Sequence, residues 1–225
     1  MKGFGGMGPM PMMGNPMMGN PMMTNPMLAQ MQMQQNMLHM QQMQQMMQMM
    51  NPHGGVQGQG DMRISRIMKE YQLCSNDSDL IQIGCSFGLD QQNDYNVWKV
   101  SMLGPQNTPY QGGLWTIKVI FPPDYPSKGA EFRFINKIYH LNVDWKNEKT
   151  LGHICLSSLN EWATTGKVKS KPCYGVKQAL FDIFCLFYNQ GIESPYEEAI
   201  AAQYRDNRPQ FDALAKEWTA KYAKY

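Results

Sequence analysis

Cys155 is the residue whose neighbours most suggest a reactive site. It lies within Gly152-His153-Ile154-Cys155-Leu156, a short distance after His140 and Asn142. A thiolate attacks acyl groups well, and a thioester keeps the acyl group activated for a further transfer. A lone cysteine is more often a small buried hydrophobic residue, so the pattern by itself leaves both interpretations open.

The other four cysteines lack such a context, and we interpret them as structural. Their spacings match no zinc-binding pattern. Reduced cysteines are typical of cytosolic and nuclear proteins, so we expect the chain in one or both of these compartments. The four residues are Cys74, Cys85, Cys173 and Cys185.

The elements that position Cys155 follow from the spacing of apolar residues. Ile64, Ile67, Met68 and Tyr71 recur with helical spacing and predict a first helix. Strand-like runs separated by turn signals come next, and they favour an antiparallel meander. Helical patterns return after Cys155, so the whole is an α+β fold. We predict strands over 97–103, 115–121 and 132–135, a buried helix over 176–187 and a last helix over 211–222.

The first 60 residues differ in composition from the rest of the chain. All but three of the 22 methionines lie at or before position 50, and Lys2 is the only charged residue before Asp61. We therefore divide the chain in two. Residues 1–60 form a Met/Gln/Pro/Gly-rich, low-complexity extension and linker that is predicted to be disordered, and residues 61–225 form one globular domain.

Two segments of the extension favour different structures. A Pro-Met repeat over 11–27 excludes a helix there, and with it a membrane span or a secretory signal. Residues 27–50 lack proline and glycine, and methionines three or four residues apart fit a helix that docks on a partner. A disordered tract is the alternative, which we favour because Met and Gln are so frequent.

The overall charge limits the partners. A formal net charge of +2 lacks the strong basic excess of a dedicated nucleic-acid binder. We therefore expect neither nucleic acid nor a membrane as a primary partner.

A series of short motifs along the second segment follows the order found in one protein family. The motifs are Trp98, Gly104-Pro105, Thr108-Pro109-Tyr110, Gly112-Gly113, Phe121-Pro122, Tyr125-Pro126, Ile138-Tyr139-His140-Leu141-Asn142, Gly152-His153-Ile154-Cys155-Leu156, Trp162 and Glu217-Trp218-Thr219. In this ordered set the chain resembles the ubiquitin-conjugating enzymes from about Met62 to Tyr225. The resemblance leaves the extension unexplained.

The resemblance implies a sheet of four antiparallel strands flanked by helices. It implies that Cys155 accepts ubiquitin as a thioester from an activating enzyme. The ubiquitin then passes to a lysine of a protein substrate, usually with a ubiquitin ligase, or to a ligase cysteine. No metal and no bound cofactor are implied, because the activating enzyme consumes the ATP.

Three alternatives remain open. The chain could carry a ubiquitin-like modifier in place of ubiquitin. It could be a catalytically weak scaffold that binds ubiquitin without transferring it. The main role could also lie in the extension, as a segment that recruits partners to a routine domain.

The resemblance also assigns roles to residues near Cys155. Asn142 matches the family asparagine, whose amide stabilises negative charge on the thioester oxygen, with a local turn bond as the alternative. His140 is expected to order the loop. Ser194 aligns with a position beside the active site that often carries Asp or Ser, and we interpret it as a gate. We expect His153 to lie at the surface, turned away from Cys155.

Departures from the family pattern carry expectations of their own. Leu141 replaces the usual proline between His140 and Asn142, which predicts a less ordered Asn142. The stretches 143–154 and 163–171 are longer than is common in the family. We interpret both as solvated loops.

Ligase contacts in the family fall on the first helix and on two loops. Arg66 and Lys69 match basic positions of the helix. Ser127 stands in the first loop, where an apolar residue is frequent, and Pro172 stands in the second. Because apolar anchors carry most of the energy of an interface, we predict weak or altered use of RING-type ligases.

Overall fold

The structure is a computed structural model that describes residue 41 and residues 59–171, 173–193 and 195–224. Pro172 and Ser194 lie outside the described residues. So do residues 1–40 and 42–58, which make up nearly all of the predicted extension.

Six helices and four strands are described after residue 58. They are α1 (Gln59–Ser75), α2 (Ser78–Gln82), β1 (Cys85–Leu89), β2 (Val97–Leu103), β3 (Leu114–Ile120), β4 (Glu131–Phe134), α3 (Ser157–Thr165), α4 (Val176–Leu186), α5 (Glu198–Asp206) and α6 (Arg208–Tyr222). Within the described segments no helix has the length and apolar character needed to cross a membrane. The first helix begins at Gln59, two residues before the boundary set from composition.

The four strands form one antiparallel sheet in the order β1-β2-β3-β4. Alternate residues of the central strands, such as Trp98, Val100 and Ile117, are fully buried, while their neighbours face outwards or are half-buried. This is the period of two that a sheet with one covered face requires. The predicted α+β fold, a four-stranded antiparallel meander flanked by helices, is therefore confirmed.

The helices cover the apolar face and meet at aromatic side chains. Tyr71 of α1 packs edge-on against Trp98, with ring centroids 5.1 Å apart. Phe187, just after α4, lies against the rings of Tyr110, Trp115 and Phe134. Aromatic pairs in such geometries contribute about 0.5–1.5 kcal/mol beyond the area they bury. This packing fixes the end of α4, from which the chain runs on to the candidate site.

The helix over 176–187 differs from its prediction in one respect. Its buried residues are Val176, Ala179, Leu180, Ile183 and Leu186, which share one face at spacings of three and four. The opposite side is half-buried, and Cys185 is exposed. The expectation of a buried helix therefore holds for one face only, because Phe181 and Phe184 on the other side are half-buried.

Candidate active site

The candidate site is built on a short antiparallel pair of segments. Val143 forms a bridge with Ile154, the N–H of Cys155 donates to the carbonyl of Asn142 at 2.8 Å, and the N–H of Asp144 donates to the carbonyl of His153 at 3.0 Å. Asn142 thus lies opposite Cys155, and Asp144 opposite His153. Since alternate side chains of an extended segment share a face, these four side chains lie on one face, whereas Val143 and Ile154 are buried on the other.

This register overturns the expectation for His153. Adjacent residues of an extended segment point apart, but residues two apart, such as His153 and Cys155, point the same way. The Nδ1 atom of His153 is in hydrogen-bond contact with the hydroxyl of Tyr196, and its side chain is about a quarter exposed at 24%. His153 is therefore part of the face that presents Cys155.

The thiol of Cys155 is half-buried. Burial raises its pKa above the usual value, and a hydrogen bond with the side chain of Asn160 opposes this only in part. Burial disfavours the charged form, so the group is a thiol at neutral pH. The surroundings of Cys155 do not stabilise a thiolate at neutral pH. A base must therefore take the thiol proton when the sulfur attacks.

Asn142 is 1% exposed, and its amide is paired with the backbone of Gly191. The Nδ2 atom donates to the carbonyl of Gly191 at 2.7 Å, and the Oδ1 atom accepts from the Gly191 N–H at 2.8 Å. A Cβ atom at Gly191 would lie 3.2 Å from that Nδ2 atom, so a larger residue would press on the amide. The amide is held in one orientation and ties residue 142 to the segment after α4.

His140 is buried and bonded through both ring nitrogens. The N–H of Asn142 donates to Nδ1 at 3.0 Å, which makes Nδ1 the acceptor and assigns the proton to Nε2. Nε2 then donates to the carbonyl of Leu186 at 3.1 Å. Burial lowers the pKa of His140 to about 4, and the bond to Leu186 opposes this shift. A neutral imidazole thus links the loop to the end of α4.

Leu141 compensates for the missing proline with hydrogen bonds, one of which proline could not make. Its side chain is fully buried, and its N–H donates to Oε1 of Gln190 in a long bond of 3.4 Å. Proline has no N–H for this contact. The carbonyl of Leu141 accepts from the N–H of Tyr196 at 2.8 Å, and Gln190 also donates to the hydroxyl of Tyr110 at 2.7 Å. These hydrogen bonds hold the loop that carries Asn142, and they replace the restriction of φ that a proline would give.

The stretch 143–154 is folded back on itself around Asp144. That carboxylate accepts from the N–H groups of Lys146 and Asn147 at 3.0 and 3.2 Å and from the hydroxyl of Thr150. Burial raises the pKa of Asp144, but these hydrogen bonds outweigh it, so the net pKa is lowered. The interpretation of this stretch as a solvated loop was wrong for Asp144, which is 6% exposed, and holds only for the residues at its tip.

The second long stretch, 163–171, packs against the first predicted ligase loop. Gly166 has a φ of 68°, and a Cβ atom there would lie 2.5 Å from the carbonyl oxygens of Pro126 and Ser127. Lys171 forms an ion pair with Asp182 of α4 at 2.5 Å. Both ends of this stretch are therefore attached to the domain, although several of its residues are exposed.

The predicted ligase-contact residues within the described part of the chain lie at the surface. Arg66, Lys69 and Ser127 are exposed, and Arg66 pairs with Glu70 at 3.0 Å. Glu70 also accepts a hydrogen bond from the hydroxyl of Tyr125, which links α1 to the loop that contains Ser127. Helix and loop thus form one connected surface.

The remaining cysteines fall into two classes. Cys74 and Cys85 are buried, and burial raises the pKa of each to about 12, as expected for structural thiols. Cys173 and Cys185 are exposed, so neither is a buried core thiol, and their structural interpretation stays a prediction. Across the described segments, no group of three His, Cys, Asp or Glu side chains could hold a metal ion.

Reasoning from the sequence missed Tyr196, Gln190 and Asp144. Tyr196 and Gln190 reach the site through bonds to residues more than 40 positions away, which no local pattern reports. For Asp144 a signal was present, because an Asp followed at short spacing by Asn and Thr is typical of a turn that bonds its own backbone.

The family follows from comparison with known proteins. A family model described as ubiquitin-conjugating enzyme matches residues 66–219. The chain belongs to the ubiquitin-conjugating enzyme family. Its match begins in α1 and ends within α6, so it includes the whole sheet, the candidate site and both predicted ligase loops.

Solved structures of similar proteins agree with this membership. The E2 domain of a Toxoplasma gondii ubiquitin conjugating enzyme is 31% identical with a TM-score of 0.56, and the match covers 72% of this chain and 99% of that one. A Plasmodium yoelii protein that is provisionally classed as a ubiquitin conjugating enzyme is 27% identical with a TM-score of 0.61. That match covers 76% of this chain and 99% of the other.

Proposed function

We propose that this chain is a ubiquitin carrier. Cys155 accepts ubiquitin as a thioester from an activating enzyme, and the ubiquitin then passes to a substrate lysine or to a ligase cysteine. The observation that carries the proposal is the half-buried thiol of Cys155, directly opposite the oriented amide of Asn142, in a member of the ubiquitin-conjugating enzyme family.

The first step is thioester exchange. Cys155 loses its proton, its sulfur attacks the thioester carbonyl held by the activating enzyme, and the cysteine of that enzyme leaves as a thiolate. A thiol with a raised pKa is a poorer leaving group, so the thioester formed on Cys155 resists premature cleavage. This persistence suits a carrier that has to diffuse from one enzyme to the next.

The second step is attack by an amine. A neutral lysine amine adds to the carbonyl carbon, negative charge develops on the carbonyl oxygen, and the C–S bond breaks as the isopeptide bond forms. The proton lost by the amine restores the thiol of Cys155. We assign Asn142 to the developing charge, because residues directly opposite in an antiparallel pair have Cβ atoms about 4.5–5.5 Å apart.

His140 and Ser194 have supporting roles in this proposal. His140 holds the backbone N–H of Asn142 and thereby the loop, and its neutral ring is unsuited to supply a proton near pH 7. Ser194 remains a proposed gate beside the site. The absence of a bound cofactor and the cytosolic or nuclear location also remain predictions.

Ligase use is proposed to be weak or altered. Arg66 and Lys69 offer positive charge, but Ser127, exposed at the loop position where an apolar residue is frequent, supplies no apolar anchor. Lysine discharge measured with a panel of unrelated RING domains should rise only slightly. Strong stimulation by many of them would contradict this part of the proposal.

The test of the proposal is charging with a panel of modifiers. The full chain is incubated with ATP and with ubiquitin or a ubiquitin-like protein, each with its own activating enzyme. We expect a reductant-sensitive adduct with ubiquitin. An adduct with another modifier alone would favour that alternative, and no adduct with any modifier would favour the scaffold.

A further inference from the structure

The side chain of Tyr196 crosses the face on which Cys155 is presented. Its backbone N–H donates to the carbonyl of Leu141 at 2.8 Å, at the start of the first segment of the pair. Its hydroxyl reaches Nδ1 of His153 on the second segment. Tyr196 is therefore anchored on both segments of the pair. Its contact on the second segment, His153, lies two residues before Cys155.

The contact between the two rings sets the orientation of Tyr196. The rings of His153 and Tyr196 meet edge to face, with centroids 5.9 Å apart and planes at 87°. Consecutive residues of an extended chain rise by about 3.3 Å, so His153 and Cys155 are about 6.6 Å apart along the segment. A ring held against His153 is therefore within reach of Cys155, and the electrostatic coupling between Tyr196 and Cys155 agrees with this.

The charges around Tyr196 agree with this placement. Burial raises the pKa of Tyr196, and its electrostatic coupling to Cys155 and Asp144 raises it further, while Arg133 opposes the shift. The hydroxyl of Tyr196 therefore stays protonated, and it donates to Nδ1 in the tautomer of His153 that carries its proton on Nε2. Nε2 of the same imidazole faces Glu131 at 4.0 Å.

A second link holds the same chain segment in place. Glu197, next to Tyr196, pairs with Lys146 from the stretch 143–154, and the side chain of Glu197 is only 10% exposed. Even so, Tyr196 is 37% exposed, so one side of it borders solvent. The residue is thus both fixed in position and accessible to a molecule that approaches Cys155.

We propose that Tyr196 is a specificity-determining residue. Its hydroxyl bond to His153 holds its ring as one wall of the approach to Cys155, and this wall limits the size of the groups that reach the sulfur. The wall is a property of the folded chain. Its consequence for acceptor choice rests on the proposed function, because acceptor amines react only with a Cys155 that carries ubiquitin as a thioester.

The wall is tested with two alkylating reagents of different size. Iodoacetamide and its N-benzyl derivative share one reactive group, and the rate at Cys155 is followed in the full chain by mass spectrometry of the peptide that contains it. We expect Tyr196→Ala, Tyr196→Phe and His153→Ala to raise the rate with the bulky reagent several-fold relative to the small one. His153→Asn is the matched control, since its Oδ1 can accept in place of Nδ1 and should preserve the wild-type ratio.

Two results would overturn the proposal. An unchanged ratio in Tyr196→Ala would show that no wall exists. An equal rise with both reagents would show that the substitution exposes the thiol in general, and circular dichroism of each variant identifies such loosening. These readings do not depend on ubiquitin transfer.

The consequence for acceptors is measured on the charged protein. Tyr196→Phe should raise kcat/KM for a bulky amine several-fold relative to that for free lysine, while charging by the activating enzyme stays as in the wild type. An unchanged ratio of the two kcat/KM values in Tyr196→Phe would remove the role in acceptor choice. Failure of the wild type to form a ubiquitin thioester would refute the proposed function. The alkylation rates would still test whether Tyr196 limits access to Cys155.

Discussion

Asn142 combines two arrangements that suit different roles. Its amide is paired with the backbone of Gly191, which orders the segment after α4, and it lies opposite Cys155, where charge would develop during transfer. A substitution at Asn142 removes both at once. The two contributions therefore have to be separated with a second residue that orders the same segment.

Gln190 provides this comparison. Asn142→Ala should slow discharge onto lysine by about 100- to 1,000-fold, as the loss of one oxyanion donor typically does, and affect charging much less. Gln190→Ala also loosens the segment, through its bonds to Leu141 and Tyr110, but leaves the amide of Asn142 in place. Single-turnover discharge measures both variants. Equal losses would mean that Asn142 acts through the segment and not on the reacting carbonyl.

His140 makes stability depend on pH in a defined window. Its pKa is lowered from 6.5 to about 4 in the folded chain, so between these values the unfolded chain binds the proton first. The free energy of unfolding should therefore fall as the pH drops from 6.5 towards 4, by up to roughly 3 kcal/mol at 1.4 kcal/mol per pKa unit.

His140→Gln keeps a donor for Leu186 and removes the titrating ring. We expect this variant to be less stable than the wild type near pH 7 and to show a flatter pH dependence between 7 and 5. Urea unfolding at a series of pH values is the measurement. If the free energy of unfolding depends on pH in the same way in the wild type and the variant, this titration does not belong to His140.

Among single functional residues, those that lie within a recognisable short motif can be identified from the sequence. Cys155, Asn142 and His140 belong to short motifs and can be chosen by inspection. Tyr196 and Gln190 could not be chosen, because they act through single bonds to His153 and Leu141 across long separations in the chain. Leu141 was expected to weaken the loop, since the loss of a fixed φ is visible in the sequence and the gain of a bond is not.

Among the elements, α3 and the loop before β4 are coupled by close contact at Gly129. Its N–H donates to the carbonyl of Trp162 at 2.8 Å, and a Cβ atom there would lie 2.3 Å from the indole ring. A Cβ atom at that distance would force the indole ring or the backbone to move. The packing of Trp162 therefore requires glycine at position 129.

Two substitutions at Gly129 test this coupling. Gly129→Ala should destabilise the fold by about 1–3 kcal/mol through overpacking, and Gly129→Pro by more because it also removes the donor. Gly88→Ala is the control, since its Cβ would meet only a carbonyl oxygen at 3.9 Å. Denaturant midpoints compare the three. A Gly129→Pro variant as stable as the wild type would show that the loop can repack.

Elements with a clear hydrophobic period were predictable, and the others were not. Strand β2 matches its predicted bounds, and β3 and β4 are displaced by one residue, because burial alternates along all three. Strand β1 has one buried residue followed by four half-buried ones, so it offers no alternation to detect. Helices α2 and α5 are also too short to show a helical stripe.

For the whole molecule, the core and the family match both lie in the second part of the chain. Among the residues that the structure describes, the buried apolar ones begin at Ile67, and the family match begins at residue 66. The methionines that dominate the composition lie almost entirely before these positions. We therefore expect the second part of the chain to fold without the extension.

Deletion of residues 1–58 tests this separation. The shortened chain, which begins where α1 begins, should keep the melting temperature and the charging rate of the full chain. Thermal unfolding and a charging time course provide the comparison. A large loss of either would mean that the extension contributes to the domain, whereas a change only in partners or location would place its role outside the domain.

The central claim, that Cys155 carries the thioester, is tested most directly by locating the bond. The full chain is charged with ubiquitin, activating enzyme and ATP, and the adduct is resolved on a non-reducing gel and mapped by mass spectrometry. Cys155→Ala should abolish the reductant-sensitive adduct, while a Cys173→Ser, Cys185→Ser double variant, which lacks the two exposed thiols, should charge like the wild type. A thioester that persists in Cys155→Ala, or one that maps to another cysteine, would contradict the account.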